Sequence, residues 1–374
     1  MPPTVADVVF LYPLKLMSPQ DFLRELQRCV FIPGREDSDF QLLFLIMEQA
    51  KALWAPFAGK YSIHEETYQF AKKSTELDNK PYSEIGVEIA RQQALASGLA
   101  MCKEVNFSGQ ETEIVVPSPY NTEGIPISIY KPQNCAEVPA IWIYFHGGGL
   151  VIGSRRTVES ALKTIATGAG AIVINVEYRL LPIAHAPCAP LDDGVAVTRW
   201  IMDNKSAVGG KERSAVGVGG DSAGGHISAS ITNEVAGLDF QVLVYPMTDT
   251  SRKQASFQEF ENAPVLGKGS IDWFFDNSIK LMPHYLTDPR INPMARTTAE
   301  LSPAALFILA EMDPLVGAGL DYAQKLRHAG VSVQCEIIKG VPHAFFPFDA
   351  VFIEKTSEAY AHVIKFLNQF QHSK

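Results

Sequence analysis

Four stretches of the chain combine residue types that do chemistry only when they are assembled. The first is Gly220-Asp221-Ser222-Ala223-Gly224, which follows the apolar run Ala215-Val-Gly-Val-Gly and precedes a helical segment. A serine between glycines, at the junction of a buried strand and a helix, fits a turn too tight for larger neighbours. Its hydroxyl would stand clear of the sheet at the positive end of the helix, where developing negative charge is favoured. Ser222 is therefore the candidate nucleophile, and Asp221 beside it reads as structural support.

The second stretch is His146-Gly147-Gly148-Gly149, directly after the apolar run Ala140-Ile-Trp-Ile-Tyr-Phe. Three consecutive glycines cost chain entropy, and aiming bare backbone N–H groups at an anion is a use that justifies them. In acyl transfer that anion is the oxygen of the tetrahedral intermediate. Gly147 and Gly148 are the expected loop donors, the N–H of Ala223 is a third, and His146 and Gly149 brace the loop.

A serine hydroxyl is a weak nucleophile at neutral pH and needs an imidazole base oriented by a carboxylate. His343, in Val341-Pro-His-Ala-Phe, follows the last expected strand; Asp313, in Glu311-Met-Asp-Pro-Leu, follows the strand Ala304 to Leu309. One helix and one strand separate them, so both would rise from the same edge of a sheet, in the chain order Ser, Asp, His. Asp249 and Glu311 are the rivals for the acid. His185, His226, His284 and His328 read as solvated or packing residues, and Asp192-Asp193 as a favourable charge at a helix N-terminus.

The elements that must position these residues alternate. Strands are expected at Glu113 to Pro117, Ile125 to Tyr130, Ala140 to Phe145, Ala171 to Glu177, Ala215 to Gly219, Phe240 to Tyr245, Ala304 to Leu309 and Val331 to Ile338. Helices are expected at Cys188 to Asn204, Ala223 to Val235, Gly317 to His328 and about Ala350 to Phe370. Such βα alternation implies an α/β fold with a mostly parallel, eight-stranded, doubly wound sheet. Residues 1–105 form a helical N-terminal region, with amphipathic helices at Ser18 to Cys29 and Phe40 to Leu53, and 106–374 the catalytic domain. An insertion at about 248–300 breaks the rhythm and carries Phe257, Phe260, Trp273, Phe274 and Phe275. It is paired with the N-terminal helices as a cap, its aromatics serving either an acyl or alcohol pocket or packing within the cap.

Bulk properties exclude several classes. A chain of 374 residues with net charge −9 and no basic cluster longer than Arg155-Arg156 lacks the field that nucleic-acid binding needs. Five scattered cysteines with no C-x-x-C suggest neither a disulfide framework nor a metal site, and point to a reducing, cytoplasmic setting. The N-terminus lacks the basic leader of a signal peptide, and the apolar stretch from Leu42 to Phe57 is broken by Glu48 and Lys51, so no membrane span is expected.

The motifs His146-Gly-Gly-Gly, Gly220-Asp-Ser-Ala-Gly-Gly, Asp313-Pro-Leu and His343-Ala-Phe, with Tyr178-Arg-Leu-Leu-Pro and Leu191-Asp-Asp between them, resemble the hormone-sensitive-lipase-like carboxylesterases. That group includes arylacetamide deacetylases and plant carboxylesterases. The resemblance covers about residues 104–370. It implies the α/β-hydrolase fold with a helical cap, a cofactor-free triad of Ser222, His343 and Asp313, and hydrolysis of carboxylic esters with short to medium acyl chains. Two other functions fit the same scaffold: an amidase or deacetylase acting on aryl amides, and a non-catalytic small-molecule receptor, as in the gibberellin-receptor branch. That branch has lost the triad histidine, whereas His343 is present here. The implied partner is a small-molecule ester, and a homodimer is left open.

Overall fold

The computed structural model describes residues 38–371, so the helix expected from Ser18 to Cys29 lies outside the described residues. The chain divides into two compact units at Gln49 and Ala50. Of the first, residues 38–49 are described, as the opening turns of helix α1 (Ser38–Ala58). The second unit carries the sheet and its covering helices.

Helices α2 (Glu65–Glu76) and α3 (Val87–Met101) precede the first described strand. The strands are β1 (Gly109–Ser118), β2 (Asn121–Pro132), β3 (Ile141–Phe145), β4 (Ile172–Val176), β5 (Val216–Asp221), β6 (Phe240–Val244), β7 (Ala304–Met312) and β8 (Val333–Pro342). They form one eight-stranded sheet in the order β1-β2-β4-β3-β5-β6-β7-β8. The pairs β1–β2 and β2–β4 are antiparallel and all the others parallel. Helices α4 (Glu159–Ala169), α5 (Ala189–Asp203), α6 (Ala223–Ile231) and α9 (Val316–His328) lie between successive strands, and α10 (Ile353–Leu367) follows the last strand.

Two faces of this sheet must be covered, because β3 to β6 are buried along their whole length. Side chains alternate between the faces. Trp142, Tyr144 and Val173 join Leu162 and Ile165 of α4 and Val363 and Phe366 of α10. Ile141, Ile143, Phe145 and Ile174 join Val197 of α5 and Ile227 of α6 on the other face. At roughly 1.5–3 kcal/mol for each large apolar side chain removed from water, a one-residue slip of β3 would exchange its two sets of partners and misplace the glycine loop beyond Phe145.

Most sequence-based bounds agree within a few residues, and the exceptions are few. Strands β1 and β2 run longer than read and form a hairpin across residues 119–120. Helix α6 stops at Ile231, short of Val235: Thr232 Oγ1 donates to the Ala229 carbonyl and Asn233 Nδ2 to that of Pro289, which favours a turn over continued helix. Strand β8 continues past Ile338 to Pro342, and His343 comes directly after it. The insertion between β6 and β7 holds only two short helices, α7 (Ala255–Glu259) and α8 (Lys268–Asn277), among single-turn 3₁₀ segments.

Candidate active site

Parallel strands deliver their C-terminal ends to one edge of the sheet. There β3 leads into His146, β5 into Ser222, β7 into Asp313 and β8 into His343. Ser222 sits at φ 54°, ψ −112°, a conformation that costs a non-glycine residue roughly 1–3 kcal/mol. Its N–H donates to Val244 O at 2.8 Å. Neighbours with side chains would not fit: a Cβ on Gly220 or Gly224 would fall 2.2 or 1.8 Å from Phe145 O.

The imidazole of His343 spans the nucleophile and the acid. Its Nε2 lies 2.9 Å from Ser222 Oγ and its Nδ1 2.7 Å from Asp313 Oδ2. Asp313 is fully buried, and its other oxygen accepts the N–H of Leu315 at 2.8 Å, which fixes the carboxylate plane. The Tyr245 ring lies against the imidazole with centroids 4.6 Å apart, and burial holds its phenol well above the ordinary tyrosine range. Neither rival acid reaches a histidine. Asp249 accepts from Ser251 N and Gln254 Nε2, both at 2.8 Å, and Glu311 takes Lys339 Nζ and Gly340 N, also at 2.8 Å. His185, His284 and His328 are exposed, while His226 is a buried packing residue whose Nε2 lies 2.7 Å from Ile291 O.

The glycine loop is held plane by plane. A peptide unit is rigid, so a bond to its carbonyl also fixes the direction of the N–H on the following residue. In the 146–147 unit, Tyr178 Oη donates to His146 O at 2.7 Å and Gly147 N–H donates to Asp221 Oδ1 at 2.8 Å. In the 147–148 unit, His146 Nδ1 lies 2.8 Å from Gly147 O, which assigns the Nδ1–H tautomer because a carbonyl only accepts. Burial lowers the His146 pKa, and the stacked Tyr178 ring, 4.3 Å away, holds this neutral imidazole in place. In the 148–149 unit, Gly148 O accepts the N–H groups of Val151 (3.0 Å) and Ile152 (2.9 Å).

This geometry corrects one expectation from the sequence. The glycine motif suggests that Gly147 offers its N–H to the reacting oxygen, but that N–H is taken by Asp221. The N–H groups of Gly148 and Gly149 make no hydrogen bond among the described residues, and that of Ala223 opens helix α6, where no intrahelical partner exists. Asp221 is correspondingly more than passive support: its Oδ1 also accepts from Tyr144 Oη at 2.7 Å, so one carboxylate joins β3, β5 and the glycine loop. Burial raises its pKa, against the pull of the Tyr144 hydroxyl, His146 and the Gly147 N–H.

Sequence reasoning misses Tyr144 and Tyr178 as parts of this scaffold. A signal exists for Tyr144, a hydroxyl in an otherwise apolar strand. The sequence also understates Asp193, which reads there as a charge at a helix start. It is fully buried and receives Arg179 N at 2.9 Å and both Nε and Nη2 of that guanidinium, pinning the loop that carries Tyr178.

A cavity of about 530 Å³ opens onto Ser222, His343 and the three glycines. Gly98 and Met101 of α3 line it from one side, and Phe257, Leu266 and Phe274 of the insertion from another. Among the described residues, no group of three His, Cys, Asp or Glu side chains is arranged to hold a metal ion, and no helix is long and apolar enough to cross a membrane.

The model of a family described as having the alpha/beta hydrolase fold matches residues 142–347, which include every residue of this constellation. This chain belongs to the α/β-hydrolase fold family. The hydrolase is 34% identical over 253 residues to an ethyl acetate hydrolase of Pseudomonas putida, covering 66% of this chain and 78% of that one. It is 36% identical over 245 residues to a carboxylesterase of Mycobacterium tuberculosis, covering 63% of this chain and 75% of that one. Among solved structures, an ester hydrolase from the metagenome of Lake Arreo, complexed with a bipyridine phosphonate derivative, matches with a TM-score of 0.76 and 28% identity, over 82% of this chain and 98% of that one. The hydrolase is a carboxylic ester hydrolase of the hormone-sensitive-lipase-like group, as the order of its motifs implied.

Proposed function

We propose that the hydrolase cleaves esters of short to medium acyl chain length through an acyl-enzyme on Ser222, with His343 as base and acid and Asp313 as its orienter. The observation that carries this reading is the unbroken chain from Ser222 Oγ to His343 Nε2 (2.9 Å) and from His343 Nδ1 to Asp313 Oδ2 (2.7 Å). His343 takes the Ser222 proton as Oγ bonds to the ester carbonyl carbon, and the π electrons move to the carbonyl oxygen. The N–H groups of Gly148, Gly149 and Ala223 receive that oxyanion. As it collapses, the bond to the alkoxy oxygen breaks and His343 returns the proton to the departing alcohol. Water then repeats the cycle on the acyl-enzyme and releases the acid.

The acyl-length part of the proposal rests on the cavity, whose size suits a small ester and whose lining is largely apolar. The ethyl acetate hydrolase among its relatives supports a short-chain preference. Helices α2 and α3 with the insertion serve as the cap, since both contribute walls to this cavity.

Purified protein is expected to turn over p-nitrophenyl acetate and butyrate, and Ser222→Ala to lower kcat by about 10⁵-fold or more. Turnover by the variant at the wild-type rate would refute the assignment.

A further inference from the structure

The three peptide units of the glycine loop are secured at different depths. The first two are fixed from inside the hydrolase core, by Tyr178, Asp221 and His146. The third depends on the turn at residues 148–152, because its plane is set by the Val151 and Ile152 N–H groups on Gly148 O. That turn is gripped from outside the sheet. Arg91 of α3 donates Nε to Val151 O at 3.0 Å and Nη2 to Leu181 O at 2.9 Å, while Leu181 N donates to Leu150 O at 2.8 Å. On Gly149 itself lies Phe274 of α8: a Cβ built on that glycine would fall 2.2 Å from Phe274 Cδ1. Tyr82 stacks on Trp273, with centroids 5.3 Å apart, and meets Phe274 edge-on at 5.7 Å. Ala90, Val151 and Ile152 are buried within this packet.

We propose that Arg91 and Phe274 are positioning residues for ester cleavage, holding the 148–152 turn so that the Gly149 N–H stays aimed at the oxyanion. This rests on the acyl-transfer reading above. A hydrogen bond weakens steeply as its angle closes, so a donor on a turn that can rock loses most of its value where charge develops. Arg91 suits the task because its planar fork bridges two carbonyls that a lysine ammonium cannot hold with the same geometry. It does not line the cavity, so its effect cannot come from touching the substrate. Phe274 does line it, so its two roles must be separated by substrate length.

The test is steady-state kinetics of wild type, Arg91→Met, Arg91→Lys, Phe274→Ala and Phe274→Leu on p-nitrophenyl acetate, butyrate and hexanoate. Inhibition by a trifluoromethyl ketone, which adds Ser222 to give a tetrahedral oxyanion, is measured alongside. Arg91→Met is expected to lower kcat about 10- to 100-fold on all three esters with KM within about threefold, and to weaken the ketone by the same factor as kcat/KM. Arg91→Lys should recover part of the loss, and Phe274→Ala should lower kcat even on acetate. Wild-type kcat in a folded Arg91→Met protein, or a Phe274→Ala loss confined to longer chains, would overturn the proposal. So would a fall in kcat with unchanged ketone affinity. Should Arg91→Met or Phe274→Ala not fold, Arg91→Lys and Phe274→Leu carry the same criteria. A wild-type protein that leaves every ester intact would instead sink the acyl-transfer reading beneath it.

Discussion

The sheet side of the cavity and its helical side are built on different principles. On the sheet side, Ser222, Asp313 and His343 each sit one residue beyond a strand, and the ladder bonds of β5, β7 and β8 set their spacing. On the helical side, the walls come from α3 and from an insertion of short helices and turns, packed through aromatic contacts such as Tyr82 on Trp273. Strand register tolerates no continuous adjustment, whereas aromatic packets repack at modest cost. On the proposed mechanism, the sheet side fixes which bond is attacked, and the helical side fixes which ester arrives and, through Arg91 and Phe274, how well the last oxyanion donor is aimed.

That contrast can be broken most forcefully at the acid. Asp313→Asn keeps the shape of the buried site while removing the charge that orients and stabilises the imidazolium, and a fall in kcat of about 10⁴-fold is expected. The loss should be the same for acetate and hexanoate esters, because Asp313 is fully buried and absent from the cavity lining. A loss that grows with acyl length would show that the two sides are not separable in this way.

A smaller effect is expected at a residue that joins the two sides. His226 of α6, behind the nucleophile, has its Nε2 2.7 Å from the carbonyl of Ile291 in the insertion. Burial lowers its pKa from 6.5 to about 4. The unfolded chain therefore binds a proton there as pH falls through about 6.5, while the folded protein stays neutral until about 4. The stability His226 contributes is complete above that window and lost on acidification across it, by about 3 kcal/mol. His226→Gln keeps a donor for Ile291 and removes the titration, so its melting temperature should fall less than that of wild type between pH 7 and pH 4.5. Parallel declines would place the acid sensitivity elsewhere.

The same contrast explains what the sequence made legible. Period, glycine spacing and motif order located all eight strands and brought Ser222, Asp313 and His343 together, because each follows the end of a strand. Local chemistry beyond the strand ends was harder to read. Gly147, Gly148 and Gly149 are identical as residues, and only the orientation of successive peptide planes separates the one whose N–H bonds to Asp221 from the two whose N–H groups make no hydrogen bond among the described residues. Asp193 looks like a helix-start carboxylate until the preceding loop folds Arg179 back onto it. Arg91 and Phe274 meet the glycine turn across 60 and about 125 residues of chain, a distance over which no periodicity carries information.

The most direct measurement is mass spectrometry of the intact hydrolase after reaction with a fluorophosphonate, followed by peptide mapping. One adduct per chain is expected, on the peptide containing Ser222, and none in Ser222→Ala. An unlabelled wild-type protein, or an adduct on another residue that persists in Ser222→Ala, would contradict it.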